Sequence, residues 1–208
     1  VSFLASRRVG VLISGRGSNL QALIDAAQAG VLGGQLAVVV SNVADAPGLA
    51  RARAAGIPTA IRDHRGRARE EYDRELAGIL REHGVGLVCL AGYMRLLSAE
   101  FILSYPERIL NVHPSLLPAF PGRDAQRQAW EYGVKVSGAT VHLVDEGLDA
   151  GPILLQEAVP VLQSDTPETL AARILEVEHR LYPRAVRLVL EGAFRFAGRR
   201  VLLAETRA

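Results

Sequence analysis

Residues 8–20, RVGVLISGRGSNL, pass from an apolar run into a turn with two glycines and then into a polar start for a further segment. Seven residues of this kind read as a strand over 8–14, and the helix-compatible pattern from 18 to 29 reads as the following helix. Gly15 and Gly17 permit a tight turn with exposed backbone N–H groups, and Ser18 and Asn19 fall where a helix N-terminus offers unpaired donors to an anion. Two readings stay open: a cradle for one phosphate, or an ordinary turn capped by Ser18. Leu20 occupies the third place of G-x-G-x-x-G, and the second strand ends SNVAD without an immediate acidic residue for a ribose, which weakens a dinucleotide reading. The only lysine, Lys135, follows no suitable glycine loop, so a P-loop is excluded.

The same alternation continues outward from this unit. Strands are expected at about 35–41, 57–62, 86–91, 108–113, 137–144 and 152–160, and helices at about 46–55, 68–83, 98–104, 123–132 and 167–190. Short apolar strands alternating with amphipathic stretches define an α/β chain, and near-continuous runs such as LAVVV suit a strand covered on both faces. The expected fold is a Rossmann-like, mostly parallel sheet with helices on both faces. Thr166 is expected to cap the last helix, with Pro167 in its first turn and Glu168 beside the positive end of its dipole. Pro183 is expected to kink or split that helix, and the tail RFAGRRVLLAETRA to add a small hairpin.

Bulk properties narrow the function classes. The 208 residues, 49% of them apolar, suffice for one domain with a sizeable core. The longest apolar run is far too short to cross a bilayer, and VSFLASRRVG lacks the order of a signal peptide, so a cytoplasmic protein without membrane contact is expected. The single cysteine, Cys89, reads as buried packing rather than as a nucleophile. The pI of about 9.0 reflects arginine in place of lysine, not a basic patch. Scattered arginines with few aromatic partners argue against nucleic acid.

NVHPSLLPAFPG, residues 111–122, carries the chemistry. On an extended strand Asn111 and His113 project to one side, at the carboxyl end where α/β sheets bind ligands. An amide N–H and an imidazole side by side can donate to a developing oxyanion, and the imidazole can move a proton. The other reading is a structural histidine with Asn111 capping a turn. The prolines are expected to hold the next segment extended as a wall. Asp145, Glu146 and Asp149 in VDEGLDAGPI could orient His113 and favour its charged form. His142 reads as a structural strand residue, and His64 and His83 as exposed. No spacing resembles a zinc site and no G-x-S-x-G elbow occurs, so no metal is expected.

Seven stretches in order, VLISGRGSNLQALIDA, VVVSNVADAPGLARARAAGIP, REEYDREL, LAGYMRLLS, ILNVHPSLLPAFPG, SGATVHLVDEGLDAGPILLQ and VEHRLYP, together resemble the folate-dependent glycinamide ribonucleotide formyltransferases of purine synthesis. The resemblance spans nearly the whole chain. It implies transfer of a formyl group from 10-formyltetrahydrofolate to glycinamide ribonucleotide, giving N-formylglycinamide ribonucleotide and tetrahydrofolate. It further implies Asn111, His113 and Asp149 as the catalytic set, Gly17, Ser18 and Asn19 on the phosphate, and Glu178 on the acceptor substrate. Folate would lie against Met94, Arg95, Leu96 and Leu97 and against Val144, Asp145 and Glu146, with Arg69 near its glutamate tail. Residues 1–208 read as one domain, about 1–105 a nucleotide-binding half and about 106–208 a catalytic and folate-binding half. Asp124 stands where many members carry histidine. The oligomeric state stays open, a homodimer being one possible arrangement. Rivals of the same fold are a methionyl-tRNA formyltransferase, expected to carry a further RNA-binding domain and to lack SGRGSNL, and a formyltetrahydrofolate hydrolase, expected to carry an N-terminal regulatory domain.

Overall fold

The computed structural model describes residues 6–204. Readings made on the first five and last four residues, the leaderless start and the end of the tail, lie outside them. The strands are β1 Arg8–Ile13, β2 Gln35–Ser41, β3 Thr59–Ile61, β4 Leu87–Leu90, β5 Ile109–His113, β6 Val136–Leu143, β7 Ile153–Pro160, β8 Phe194–Ala197 and β9 Arg200–Leu203. The helices are α1 Ser18–Gln28, α2 Pro47–Ala54, α3 Arg69–Glu82, α4 Ala99–Ser104, α5 Ala125–Tyr132 and α6 Pro167–Glu191. The expected elements all form, with ends displaced by a residue or two; β3 is the shortest.

One seven-stranded sheet runs β3-β2-β1-β4-β5-β6-β7, and β8-β9 form a separate hairpin, as expected of the tail. The pairs from β3 to β5 are parallel, while β6 runs antiparallel to both neighbours. The chain builds outward from β1 to β3 and then crosses back to β4, so the order reverses between β1 and β4. At such a switch point the two following connections diverge and leave a crevice outside the carboxyl ends.

Alternation along the strands splits the core in two. Val9, Val11 and Ile13 of β1 pack with Leu20, Leu23, Leu49, Ile174 and Val186 under α1, α2 and α6. Leu12 and Val88 face the other way, onto Tyr72, Leu76, Leu80 and Phe101 of α3 and α4. Helices therefore cover both faces. Thr166 caps α6 in a reciprocal arrangement with Thr169, and Pro167 stands in the first turn. The expected split at Pro183 does not occur, since α6 continues to Glu191. Tyr182, Ala185 and Val186 around the proline are fully buried, and the Tyr182 hydroxyl donates to the carbonyls of Leu90 and Leu110 at 3.0 Å. Packing of that face holds the turn that the missing N–H would weaken.

Candidate active site

Asn111 and His113 share one face of β5, and the antiparallel register sets His142 of β6 directly opposite Asn111 and Thr140 opposite His113. Cross-strand partners lie on the same side of a sheet, so one patch gathers two histidines and the amide. Asp149 reaches it from the β6–β7 connection. Its Oδ2 lies 3.4 Å from His113 Nδ1 and its Oδ1 lies 3.5 Å from Asn111 Nδ2 and 3.7 Å from His142 Nε2. Gly122 N–H donates to Asp149 Oδ2 at 2.7 Å, fixing the carboxylate. Asp149 holds a left-handed φ of 48°, which costs energy for a residue with a side chain. The strain places its carboxylate beside the histidines. Asp145 instead accepts from Gly147 N–H, and Glu146 is exposed, so of the three acids only Asp149 meets His113.

The hydrogens of this cluster follow from its acceptors. His113 Nε2 lies 2.8 Å from the Phe120 carbonyl, which can only accept, so Nε2 carries a hydrogen. Nδ1 is left facing the Asp149 carboxylate. His142 Nδ1 likewise donates to the Leu143 carbonyl at 3.0 Å. Burial lowers the His142 pKa and keeps the ring neutral, so its Nε2 accepts from Asn111 Nδ2 at 3.2 Å. This histidine, read from sequence as structural, orients the Asn111 amide. Register pairing was the missing signal, because nothing in the local pattern of β6 says which strand it neighbours.

The segment after His113 is not the extended wall that its prolines suggest. Ala119 N–H donates to the Leu116 carbonyl, Leu117–Pro118 is cis, and Phe120 has a φ of 52°, so the chain doubles back. It is pinned by side chains: Thr140 Oγ donates to the Ser115 carbonyl at 2.6 Å and accepts from Leu117 N–H, and Gln156 Nε2 donates to the Leu117 carbonyl at 2.8 Å. The return brings the Phe120 carbonyl to His113. Asp124, exposed and with a φ of 54°, precedes α5 without a side-chain cap bond.

Across the switch point, Gly17 caps α1 with φ 71° and no side-chain cap bond, so the turn is not capped by Ser18. Its backbone meets that of Gly48 at the start of α2: a Cβ on Gly17 would stand 2.7 Å from Gly48 Cα, and Gly48 N–H donates to the Gly15 carbonyl at 3.0 Å. Gly48 went unnoticed in the sequence because the contact is long-range. Asn19 is buried, and its Nδ2 donates to Glu178 Oε2 of α6 at 2.6 Å. Burial pushes the Glu178 carboxyl up to about 7, against the lowering effect of that bond. The phosphate-loop residue and the acceptor-site residue implied by the resemblance are thus in direct contact.

The connection after β4 leaves the carboxyl end of the strand next to β1. Met94 and Leu96 are exposed, Arg95 is half-buried with its guanidinium 4.9 Å from the Tyr72 ring centre, and Leu97 is buried. Val144 is half-buried at the start of the Asp149 connection, and Arg69 is exposed at the first residue of α3. His64, read as exposed, is half-buried and bonded to Asn42, while His83 closes α3 with Nδ1 on the Ile79 carbonyl. Cys89 is fully buried, and burial raises its thiol to about 12, which suits packing and not nucleophilic chemistry. Among the described residues no helix is long and apolar enough to cross a membrane, and no group of three or more His, Cys, Asp or Glu side chains could hold a metal ion.

A strand-end amide, imidazole and carboxylate on this sheet order make an enzyme-like site able to steady an oxyanion and move a proton. The chain belongs to the formyl transferase family, whose family model, described as Formyl transferase, matches residues 7–186. It is 46% identical over 183 residues to the phosphoribosylglycinamide formyltransferase of Escherichia coli K12, covering 88% of this chain and 86% of that protein. It is 50% identical over 192 residues, 91% of its length, to the trifunctional purine biosynthetic protein adenosine-3 of Drosophila pseudoobscura pseudoobscura, of which it spans 14%. The crystal structure of glycinamide ribonucleotide transformylase 1 from Symbiobacterium toebii superposes with a TM-score of 0.93 at 55% identity, covering 95% of this chain and 94% of that one.

Proposed function

We propose that the chain transfers the formyl group of 10-formyltetrahydrofolate to the amine of glycinamide ribonucleotide, releasing tetrahydrofolate, in de novo purine synthesis. The observation that carries this reading is the Asn111–His113–Asp149 cluster, with the Asn19–Glu178 contact as the second element of the site. The acceptor phosphate sits on the backbone N–H groups of Gly17, Ser18 and Asn19 at the α1 N-terminus, with Glu178 beside the rest of the nucleotide. The folate occupies Met94, Arg95, Leu96 and Leu97 on one side and Val144, Asp145 and Glu146 on the other, its glutamate toward Arg69. Residues 1–208 act as one domain, and each substrate draws residues from both halves. No metal takes part, the site of action is the cytoplasm, and neither nucleic acid nor membrane is a partner.

The geometry assigns the steps. The glycinamide nitrogen attacks the formyl carbon, a C–N bond forms, and the carbonyl electrons move to oxygen. The Asn111 amide faces His142 Nε2 at 3.2 Å and, more loosely, Asp149 Oδ1 at 3.5 Å, and the N–H on the weaker of these contacts turns to that oxyanion. His113 Nε2 is held by Phe120, so Nδ1, 3.4 Å from Asp149 Oδ2, is the nitrogen left to handle a proton. The amine proton passes, with Asp149 and a water, to the folate nitrogen as its bond to the formyl carbon breaks.

Asn111→Ala and His113→Ala should each lower kcat by about 10²–10³ fold with unfolding transitions near wild type, measured by formyl transfer and by circular dichroism. Near-normal turnover in either variant would remove the assignment.

A further inference from the structure

Residues 92–98, between β4 and α4, form a strap that is tied to the rest of the molecule at two points. At one end Met94 N–H donates to Ser14 Oγ at 2.9 Å, and Ser14 Oγ donates to Asn42 Oδ1 at 2.6 Å. Ser14 N–H also donates to the Gly92 carbonyl at 3.2 Å, so one residue just past β1 holds the strap twice. At the other end Ser98 N–H donates to Asp73 Oδ2 of α3 at 2.6 Å, while Ser98 Oγ caps α4 by accepting from Phe101 N–H.

Asp73 is only 2% exposed, and its Oδ1 has no hydrogen-bond partner among the described residues. Burying a carboxylate is costly unless its bonds compensate, and here a single short bond to the strap is what it makes. Between the two ties the side chains of Met94 and Leu96 stand 66% and 57% exposed. Those are large apolar groups that a loose loop would collapse onto the surface.

We propose that Ser14 and Asp73 are positioning residues for the formyl-donor site: they fix the backbone of residues 92–98 so that its side chains meet the folate in one geometry. This rests on the folate reading given above. Ser14 also immediately precedes Gly15, so the strap is referenced to the same strand end that carries the phosphate turn.

Ser14→Ala removes the acceptor of the Met94 N–H, and Asp73→Ala leaves the buried Ser98 N–H without its acceptor. Each should raise KM for 10-formyltetrahydrofolate about tenfold, with KM for glycinamide ribonucleotide within about twofold of wild type. Ser14→Thr and Asp73→Asn keep an acceptor oxygen and should restore the donor KM. Hydrogen exchange at the Met94 and Ser98 amides should accelerate in the alanine variants and return toward wild type in the conservative ones. An equal rise in both KM values, or no rise despite faster exchange, would overturn the proposal. A wild type that turns over no 10-formyltetrahydrofolate would overturn the parent reading and this one with it. An active wild type beside alanine variants with its donor KM would overturn the positioning role alone.

Discussion

His113 and His142 lie on one face of neighbouring strands, within reach of the same carboxylate, yet their second nitrogens commit them to opposite duties. His113 gives its Nε2 hydrogen to Phe120 and turns Nδ1 to Asp149, whereas burial keeps His142 neutral so that it accepts from Asn111. His142→Ala should therefore lower kcat by at least about tenfold by freeing the amide, with little change in either KM, and His142→Gln, which can still accept, should recover part of it. Steady-state kinetics would show this, and equal loss in both variants would refute the acceptor role. Glu178 offers a test by pH. Its carboxyl is raised to about 7 in the fold, against an ordinary value of 4.5, so the native state retains a proton that the unfolded chain gives up. Stability therefore falls as pH rises from about 4.5 to about 7, and the penalty is complete above that window. Glu178→Gln should be more stable than wild type by about 3 kcal/mol at pH 8, with the gap closing toward pH 4.5, while the acceptor KM rises. Denaturant unfolding across that range would show a constant gap if the carboxyl titrates normally. Asn111 and His113 were legible from a two-residue spacing at a strand end. The role of His142 was not, because it depends on which strand pairs with β5.

The Gly15–Asn19 turn, proposed to hold the phosphate, owes its shape to an element outside it. α2 begins with Pro47 and presents Gly48, whose backbone touches Gly17 and donates to the Gly15 carbonyl. A Cβ on Gly48 would stand 2.7 Å from Ile13 Cδ1, 3.1 Å from the Gly15 carbonyl oxygen and 3.2 Å from Gly17 Cα. Two of these are backbone atoms of the turn, so relief requires moving the turn itself. Gly48→Ala should raise KM for glycinamide ribonucleotide about tenfold and cost about 1–3 kcal/mol of stability. Gly78→Ala in α3, where a Cβ meets nothing within 4 Å, should instead stabilise by up to about 1 kcal/mol. Kinetics and thermal unfolding of the two variants would separate them, and an unchanged acceptor KM in Gly48→Ala would dissociate α2 from the site. Helix and strand periods, together with the Thr166 cap, made the elements readable in advance. The folded-back segment from Pro114 to Gly122 was misread as extended, because its course is set by Thr140 and Gln156 on other strands and not by its own prolines. Of the kink or split expected at Pro183, the split is absent for a similar reason: propensity at one position yields to the buried face of a long helix.

At the scale of the molecule, the strand order places three connections around one crevice, those after β1, β4 and β5, and adds the β6–β7 connection through the antiparallel turn of the sheet. The core beneath α1, α2 and α6 includes Val9 and Leu20 as well as Leu110, Val141 and Tyr182, so both halves of the chain rest on one packed layer. That shared layer is what lets Asn19 and Glu178, far apart in sequence, bond at 2.6 Å. The mostly parallel α/β architecture could be read from alternating apolar and amphipathic stretches; the order of strands, and hence the partners of each site residue, could not. The proposed function assigns the Asn111–His113–Asp149 cluster to the proton and the α1 N-terminus to the acceptor phosphate, both serving two substrates in a single transfer. The most direct measurement follows tetrahydrofolate and formate production from 10-formyltetrahydrofolate with and without glycinamide ribonucleotide. Tetrahydrofolate should appear only with the acceptor, in step with N-formylglycinamide ribonucleotide and without free formate. Formate released at the same rate when the acceptor is absent would contradict the account and identify water as the acceptor.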